Sequence, residues 1–318
     1  MTEPRHLHRR DILRGAAAAG AALAFRLPIA RAQDLTGKPK PGKIGDFKIS
    51  LAEWSLHKAL FAKDATITNL DFPRVAHEDY GIEGVEYVNQ FFKDKAADKE
   101  YLKDLKRRAT DHGVTNVLIM IDGEGSLSDA EKGKRQQAVE NHKRWVDAAA
   151  ALGCHAIRVN TGENYSASDV TAAVDGCGAL AEYGAANKIA VICENHGGPS
   201  SDPESLIALM KGVNNPQFGT LPDFGNFPKK DGTYEIDVYE AIARLMPYAK
   251  GVSAKSYDFG PDGNETALDF PRILKIVTDA GYHGWIGIEY EGSRLGEPEG
   301  IRATKSLLEK LRGSMFEG

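Results

Sequence analysis

Val191-Ile-Cys-Glu-Asn-His-Gly-Gly198 joins two kinds of sequence. A short apolar run, Ile189 to Cys193, ends abruptly in a carboxylate, an amide, an imidazole and two glycines. A strand buried on both faces reads this way when it delivers polar side chains at its C-terminal end. Two later stretches have the same form: Gly219-Thr-Leu-Pro-Asp-Phe-Gly-Asn226 and Trp285-Ile-Gly-Ile-Glu-Tyr-Glu-Gly292. Three strands each delivering a carboxylate suggest a metal-centred or acid/base site.

Outward from that stretch, apolar runs alternate with helical periodicity. Strands are expected over 47–54, 84–88, 116–121, 155–160, 189–194, 218–224, 251–257 and 285–290. Between and after them, helices are expected over 69–79, 95–112, 130–152, 168–187, from Asp202-Pro203, 236–248, 268–280 and 298–311. Leu102, Leu105 and Ala109 share a helical face that Gly113 terminates, and Asp202 followed by Pro203 is a cap with proline at the first helical position. Ser168 is expected to cap its helix. Eight strand–helix units over residues 47–313 fit an α/β fold of the (β/α)₈ TIM-barrel type in one domain. The competing architecture is a doubly wound open sheet, but no GxGxxG or GxxxxGK[ST] loop follows an early strand.

The chain has 318 residues, 42% hydrophobic and 27% charged, which is ordinary for a globular protein. A net charge of −5 argues against a nucleic-acid partner, which calls for a basic face. Cys154, Cys177 and Cys193 form neither a disulfide framework nor a CxxC site and read as small buried residues. Residues 1–32 read as an export signal. His8-Arg9-Arg10-Asp11-Ile12-Leu13-Arg14 resembles the twin-arginine motif, an alanine-rich run follows from Ala16 to Phe25, and Ala30-Arg31-Ala32 resembles a cleavage site. That apolar run is too short to span a bilayer, so no stable membrane insertion is expected after cleavage. Residues 33–46, rich in Lys, Pro and Gly, read as a linker, and 314–318 as a tail. The expected location is periplasmic or exported, and self-association into a homo-oligomer is left open.

Barrels carry their chemistry at the C-terminal strand ends. The polar residues collected there are Glu53, Glu86, Asp122, Arg158, Asn160, Glu194, His196, Asp223, Asn226, Lys255, Glu289 and Glu291. Carboxylates packed together are costly unless a cation neutralises them. Glu194, Asp223 and Glu289 stand out because each ends an apolar run beside a Gly or Pro. Oxygen ligands from different strands suit one hard divalent ion, Mn²⁺ or Mg²⁺. The alternative is a metal-free network in which Arg158 and Lys255 balance the carboxylates.

The eight-unit order, with Glu194, Asp223 and Glu289 ending the fifth, sixth and eighth strands, resembles the sugar phosphate isomerase/epimerase family of xylose isomerase-like TIM barrels. The resemblance covers nearly all of residues 47–311. It implies one divalent ion held by Glu, Asp, His and Glu from strands five to eight, with the two glutamates moving a substrate proton. Glu194 and Glu289 inherit both roles, and Asp223 a ligand role. Where the family carries the strand-seven histidine this chain has Ser253, in Ser253-Ala254-Lys255. Strand alternation puts Lys255 on the same face, where it can balance carboxylates, bind a substrate oxygen or serve in acid/base chemistry. His196 shares the parity of Glu194 and is a candidate for the missing ligand or for substrate binding.

Glu86, Arg158, Asn160, Asn226 and Lys255 complete the candidate substrate contacts, together with Trp54 and Phe227 among the aromatics near the mouth. The function expected is metal-dependent proton abstraction beside a carbonyl on an unphosphorylated sugar or glycoside: isomerisation, epimerisation, or elimination by a lyase or dehydratase. Two other readings compete. A sugar-binding barrel without catalysis takes its support from Ser253. An endonuclease IV-like metal nuclease needs several histidines at strand ends and a basic groove, and the sequence displays neither.

Overall fold

The computed structural model describes residues 47–314. The expected signal peptide and linker lie outside the described residues, as do residues 315–318 of the tail. Eight strands form one parallel sheet: β1 (Lys48–Ala52), β2 (Gly84–Val88), β3 (Thr115–Ile121), β4 (Ala156–Val159), β5 (Ala190–Glu194), β6 (Phe218–Leu221), β7 (Val252–Ser256) and β8 (Trp285–Tyr290). The main helices that follow them are α1 (Phe72–Tyr80), α2 (Lys99–Asp111), α3 (Lys132–Leu152), α4 (Thr171–Ala186), α5 (Pro203–Val213), α6 (Val238–Leu245), α7 (Phe270–Asp279) and α8 (Glu297–Ser314).

The sheet runs β6-β5-β4-β3-β2-β1-β8-β7, the order of a barrel opened between its sixth and seventh strands. That seam is closed by single bonds rather than a ladder. Lys250 N donates to Thr220 O (2.9 Å), Ser253 N to Pro222 O (3.0 Å) and Phe224 N to Ser253 O (3.1 Å). The cause lies in the sequence, because Pro222 has no N–H to give and ends regular pairing on β6. The strand expected over 218–224 is therefore a short strand followed by a bridged extension, and that extension positions Asp223 opposite Ser253.

Period-2 alternation sorts the strand side chains. Leu51, Tyr87, Ile119, Val159, Val191, Val252 and Ile288 face the helices in the larger apolar cluster. Ala52, Val88, Leu118, Met120, Ala156, Ala190, Ile192 and Leu221 fill the barrel interior. On β4, β5, β7 and β8 the inward positions then turn polar toward the C-terminal end: Arg158, Glu194, Ser253, Lys255 and Glu289 are all buried. The three cysteines are free and buried, as their apolar context suggests.

Asp202 caps α5 as expected, accepting from Glu204 N and Ser205 N. Helix α4 departs from expectation. It starts at Thr171 with Val170 in the cap position, and Asp169 rather than Ser168 closes the turn by accepting from Thr171 N. Three features were not anticipated: a short helix at His57–Phe61, a 3-10 stretch at Asn89–Lys95, and an antiparallel hairpin pairing Lys229–Lys230 with Thr233–Tyr234. No helix among the described residues is long and apolar enough to cross a membrane.

Candidate active site

The fifth, sixth and eighth strands bring Glu194, Asp223 and Glu289 together at the C-terminal mouth. One carboxylate oxygen from each lies within 4.8 Å of the others, and all three residues are buried. Asp223 is held by its own loop: its Oδ1 accepts from Gly225 N (2.8 Å) and Asn226 N (2.7 Å). The side chain of Asn195 clamps the same loop, donating to Asp223 O and accepting from Asp223 N. Asn226 Nδ2 then donates to Glu194 Oε1 (2.8 Å), so one loop organises two of the three carboxylates.

Two cations enter from the neighbouring strands. Arg158 Nε lies 2.7 Å from Glu194 Oε2, off the line of a good hydrogen bond, while its NH1 donates to Asp122 Oδ1 (2.8 Å). Lys255 Nζ donates to Asn226 Oδ1 (3.0 Å) and lies 3.2 Å from Glu289 Oε1 and 3.4 Å from Glu291 Oε1. Trp54 Nε1 donates to that same Glu291 oxygen (2.7 Å). Ser253, at the position where the family resemblance calls for histidine, donates its hydroxyl to Glu289 Oε2 (3.0 Å). Here serine supports a carboxylate.

Electrostatics divide the carboxylates. Burial pushes Glu194 and Asp223 up to about 7, against the pull of Arg158 on the first and Lys255 on the second. Burial also acts to raise Glu289, but Lys255, Arg158 and the bond from Ser253 outweigh it and hold Glu289 below the usual glutamate range. Burial likewise opposes the charge on Lys255, yet Glu289, Asp223 and Glu194 keep its ammonium well above the ordinary lysine range. Asp122, despite its partial burial, is held down to about 2 by Arg158.

The structure departs from the sequence reading at two candidate residues. His196 does not join the carboxylates. Strand β5 ends at Glu194, Asn195 turns inward, and the chain leaves through Gly197 (φ 85°) with the His196 ring exposed on the rim. Parity with Glu194 ceases to hold once the strand has ended. Glu86 lies one layer too deep for substrate: its Oε1 accepts from Ser50 (2.6 Å), and its carboxylate lies against Gly287, two residues below Glu289 on β8. Asn160 donates to Asp122, which makes it part of the Arg158 network at the mouth. Glu53, counted among the strand-end polar residues, is fully buried and accepts from Asn69 Nδ2 and Val88 N. Of the two expected aromatic contacts, Trp54 is half-buried beside Phe91 and exposed Phe61, whereas Phe227 is buried within the larger apolar cluster.

Against known families, the model of the xylose isomerase-like TIM barrel matches residues 75–311. The chain belongs to that family. Solved structures of similar fold include a xylose isomerase-like TIM barrel protein from Mycobacterium smegmatis in complex with magnesium. It is 16% identical with a TM-score of 0.64, covering 86% of this chain and 99% of that one. The 3-keto-D-glucoside 4-epimerase of E. coli is 14% identical with a TM-score of 0.63, covering 83% and 99%. At these identities the likeness is one of fold. Among curated proteins, the C-glycoside deglycosidase alpha subunit of Arthrobacter globiformis is 37% identical over 76 residues, 23% of this chain. The match spans 22% of that relative's length.

Within this family barrel, Glu194, Asp223 and Glu289 gather oxygen donors of the kind a hard divalent ion takes. Asp223 Oδ2 is buried and without a hydrogen-bond partner, which is rare unless a cation or water satisfies such an oxygen, whereas Glu194 Oε2 meets the Arg158 guanidinium. Glu194, Asp223 and Glu289 are the residues that would hold it.

Proposed function

We propose that this family member is a metal-dependent enzyme that removes a proton beside a carbonyl on an unphosphorylated sugar or glycoside. The products would be those of isomerisation, epimerisation or elimination, which share that first step. The observation that carries the reading is the convergence of three buried carboxylates from separate strands, with Asp223 Oδ2 left without a partner. A divalent ion bound there would supply positive charge to the carbonyl oxygen as it gains negative charge.

The residues of the chain do the rest. Glu289, held ionised by Lys255 and supported by Ser253, takes the proton. Glu194, pushed up to about 7 by burial in metal-free protein, would deliver a proton to complete the reaction, leaving Glu289 protonated and Glu194 ionised until exchange with solvent resets both. Two carboxyls set apart in this way can serve as base and acid in one site. Lys255 fixes Glu289 and Glu291, while Trp54 offers an apolar ring at the mouth and is itself anchored through Glu291. An unphosphorylated substrate is supported by the use of Arg158 and Lys255, both of which are engaged by carboxylates. The twin-arginine-like start points the same way, toward an exported enzyme that meets free sugars and glycosides. The names of the similar proteins support a keto-glycoside as the substrate to try first.

The test is deuterium exchange. Wild-type protein with Mn²⁺ or Mg²⁺ should wash solvent deuterium into a ketose or keto-glycoside next to its carbonyl. Glu289→Gln should lower that exchange by about 10²-fold or more while keeping the fold, the scale expected when a general base is lost. Binding of sugars with no exchange on any of them would replace the enzyme by a sugar-binding barrel.

A further inference from the structure

Beside the carboxylates lies a pocket of about 450 Å³ that none of them lines. Its walls come from His196 and the following glycines on one side and from Asn226, Phe227 and Lys229 on the other, with Tyr257 closing it. Asn226 belongs to both places. It faces the pocket, and its side chain bonds Glu194 Oε1 and Lys255 Nζ. A molecule whose reacting carbon sits at the carboxylates therefore has a second, preformed space directly beside it.

The hairpin builds this space. Asp231 (φ 52°) and Gly232 (φ 79°) form its two-residue turn, with both φ values positive as type I′ geometry requires. Lys229 pairs with Tyr234 across the hairpin, and its ammonium lies 4.4 Å from the Tyr234 ring centroid and 4.5 Å from that of Tyr257. That double cation–π contact pins the hairpin to the residue just after β7. Both tyrosine hydroxyls converge on Gly225 O, and a β-carbon at Gly225 would come within 2.6 Å of the Tyr257 hydroxyl. Glycine at 225 leaves the room that the Tyr257 ring occupies.

The lining mixes apolar surface (Phe227, Tyr257) with polar groups (His196, Asn226, Lys229). An aromatic face edged by hydrogen-bonding groups suits a pyranose ring, which presents C–H faces and a hydroxyl rim. We propose that this pocket is a second sugar subsite, so that the substrate is a disaccharide-type glycoside whose keto ring reacts at the carboxylates while its neighbouring ring occupies the pocket. The inference rests on the proton-abstraction reading above.

The experiment compares kcat/KM for methyl and phenyl 3-keto-β-D-glucosides with that for a panel of α- and β-linked 3-keto-disaccharides, in wild type and Lys229→Ala. At least one disaccharide should exceed the methyl glycoside by about tenfold, and Lys229→Ala should remove most of that advantage while changing the methyl glycoside by less than about threefold. Equal values for methyl glycoside and every disaccharide would overturn the subsite but leave the proposed reaction standing. A phenyl glycoside matching the best disaccharide would overturn the sugar assignment. If nothing turns over, the proposed reaction fails and binding of the unoxidised disaccharides decides the subsite separately. Affinity above that of methyl glucoside and weakened by Lys229→Ala supports it, and equal affinity overturns it.

Discussion

At the scale of the residue, Lys255 carries the most consequence. It is 2% exposed and faces Glu289, Glu291 and Asn226, with Asp223 and Glu194 acting on its charge. Removing one partner from a buried ionic network leaves uncompensated charge, at a cost of roughly 3–5 kcal/mol. Lys255→Met should therefore lower stability by an amount of that order in urea denaturation. It should also slow deuterium exchange by more than about tenfold, because Glu289 loses the cation that keeps it ionised. Wild-type exchange from this variant would refute the role given to Lys255. Its inward placement was legible from strand parity with Ser253, and Glu194, Asp223 and Glu289 were legible because each ends an apolar run. The fate of His196 was not. Parity holds only while a strand continues, and nothing in Asn195-His196-Gly197 marks Glu194 as its last residue.

At the scale of the element, depth along a strand is what sequence conveys least. The order and type of all eight strands and their main helices could be read from periodicity, yet Glu86 has the parity and polarity of a mouth residue and lies a layer below it. A register shift between Val85 and Glu86 on β2 alters how far that strand has advanced against β3, and such a shift leaves no mark in the residue pattern. The hairpin is a different case: Asp231-Gly232 is a turn signal printed in the sequence, but the flanking strands are only two residues each and show no alternation. Strand β8 makes room for Glu86 with Gly287, where a β-carbon would stand 2.5 Å from Glu86 Oε2. Gly287→Ala should thus cost about 1–3 kcal/mol by overpacking, read from chemical denaturation. The double variant with Glu86→Ala should recover more than 1 kcal/mol relative to additivity, since the two residues share one space. Strict additivity would place Glu86 elsewhere.

At the scale of the whole molecule, the barrel buries more carboxyl groups than it neutralises, and its stability should follow pH accordingly. Burial pushes Glu53 and Glu86 up to about 8 from an unperturbed value of 4.5; hydrogen bonds alone oppose it at Glu53, and at Glu86 the bond from Ser50 and the pull of Arg158 are set against the charges of Glu289 and Glu194. Glu194 and Asp223, at about 7, shift in the same direction in metal-free protein. A carboxyl raised in the folded state holds its proton there while the unfolded chain has released it. Between pH 4.5 and 8 these carboxyls bind more protons in the native state, so their contribution to stability falls as pH rises, while His142, His155 and His196, lowered by burial from 6.5, oppose that fall on the acid side. Asp122 acts oppositely but lower: depressed to about 2, it withdraws stability only as pH drops below its unperturbed 3.8. Above the histidine range the carboxyls act unopposed, so the metal-free protein should lose on the order of a few kcal/mol between about pH 6.5 and 8, measured as a falling Tm. Glu53→Gln cannot accept from both Asn69 and Val88 as the carboxyl does, so it should be less stable at pH 5, but its Tm should decline less steeply toward pH 8. A divalent ion added at pH 8 should restore part of the loss by binding the ionised Glu194 and Asp223, which a chelator would reverse. A Tm that climbs steadily from about pH 6.5 to 8 without metal would mean that these carboxyls are ionised in the fold. The balance of charge at the mouth would then rest on Arg158 and Lys255 alone.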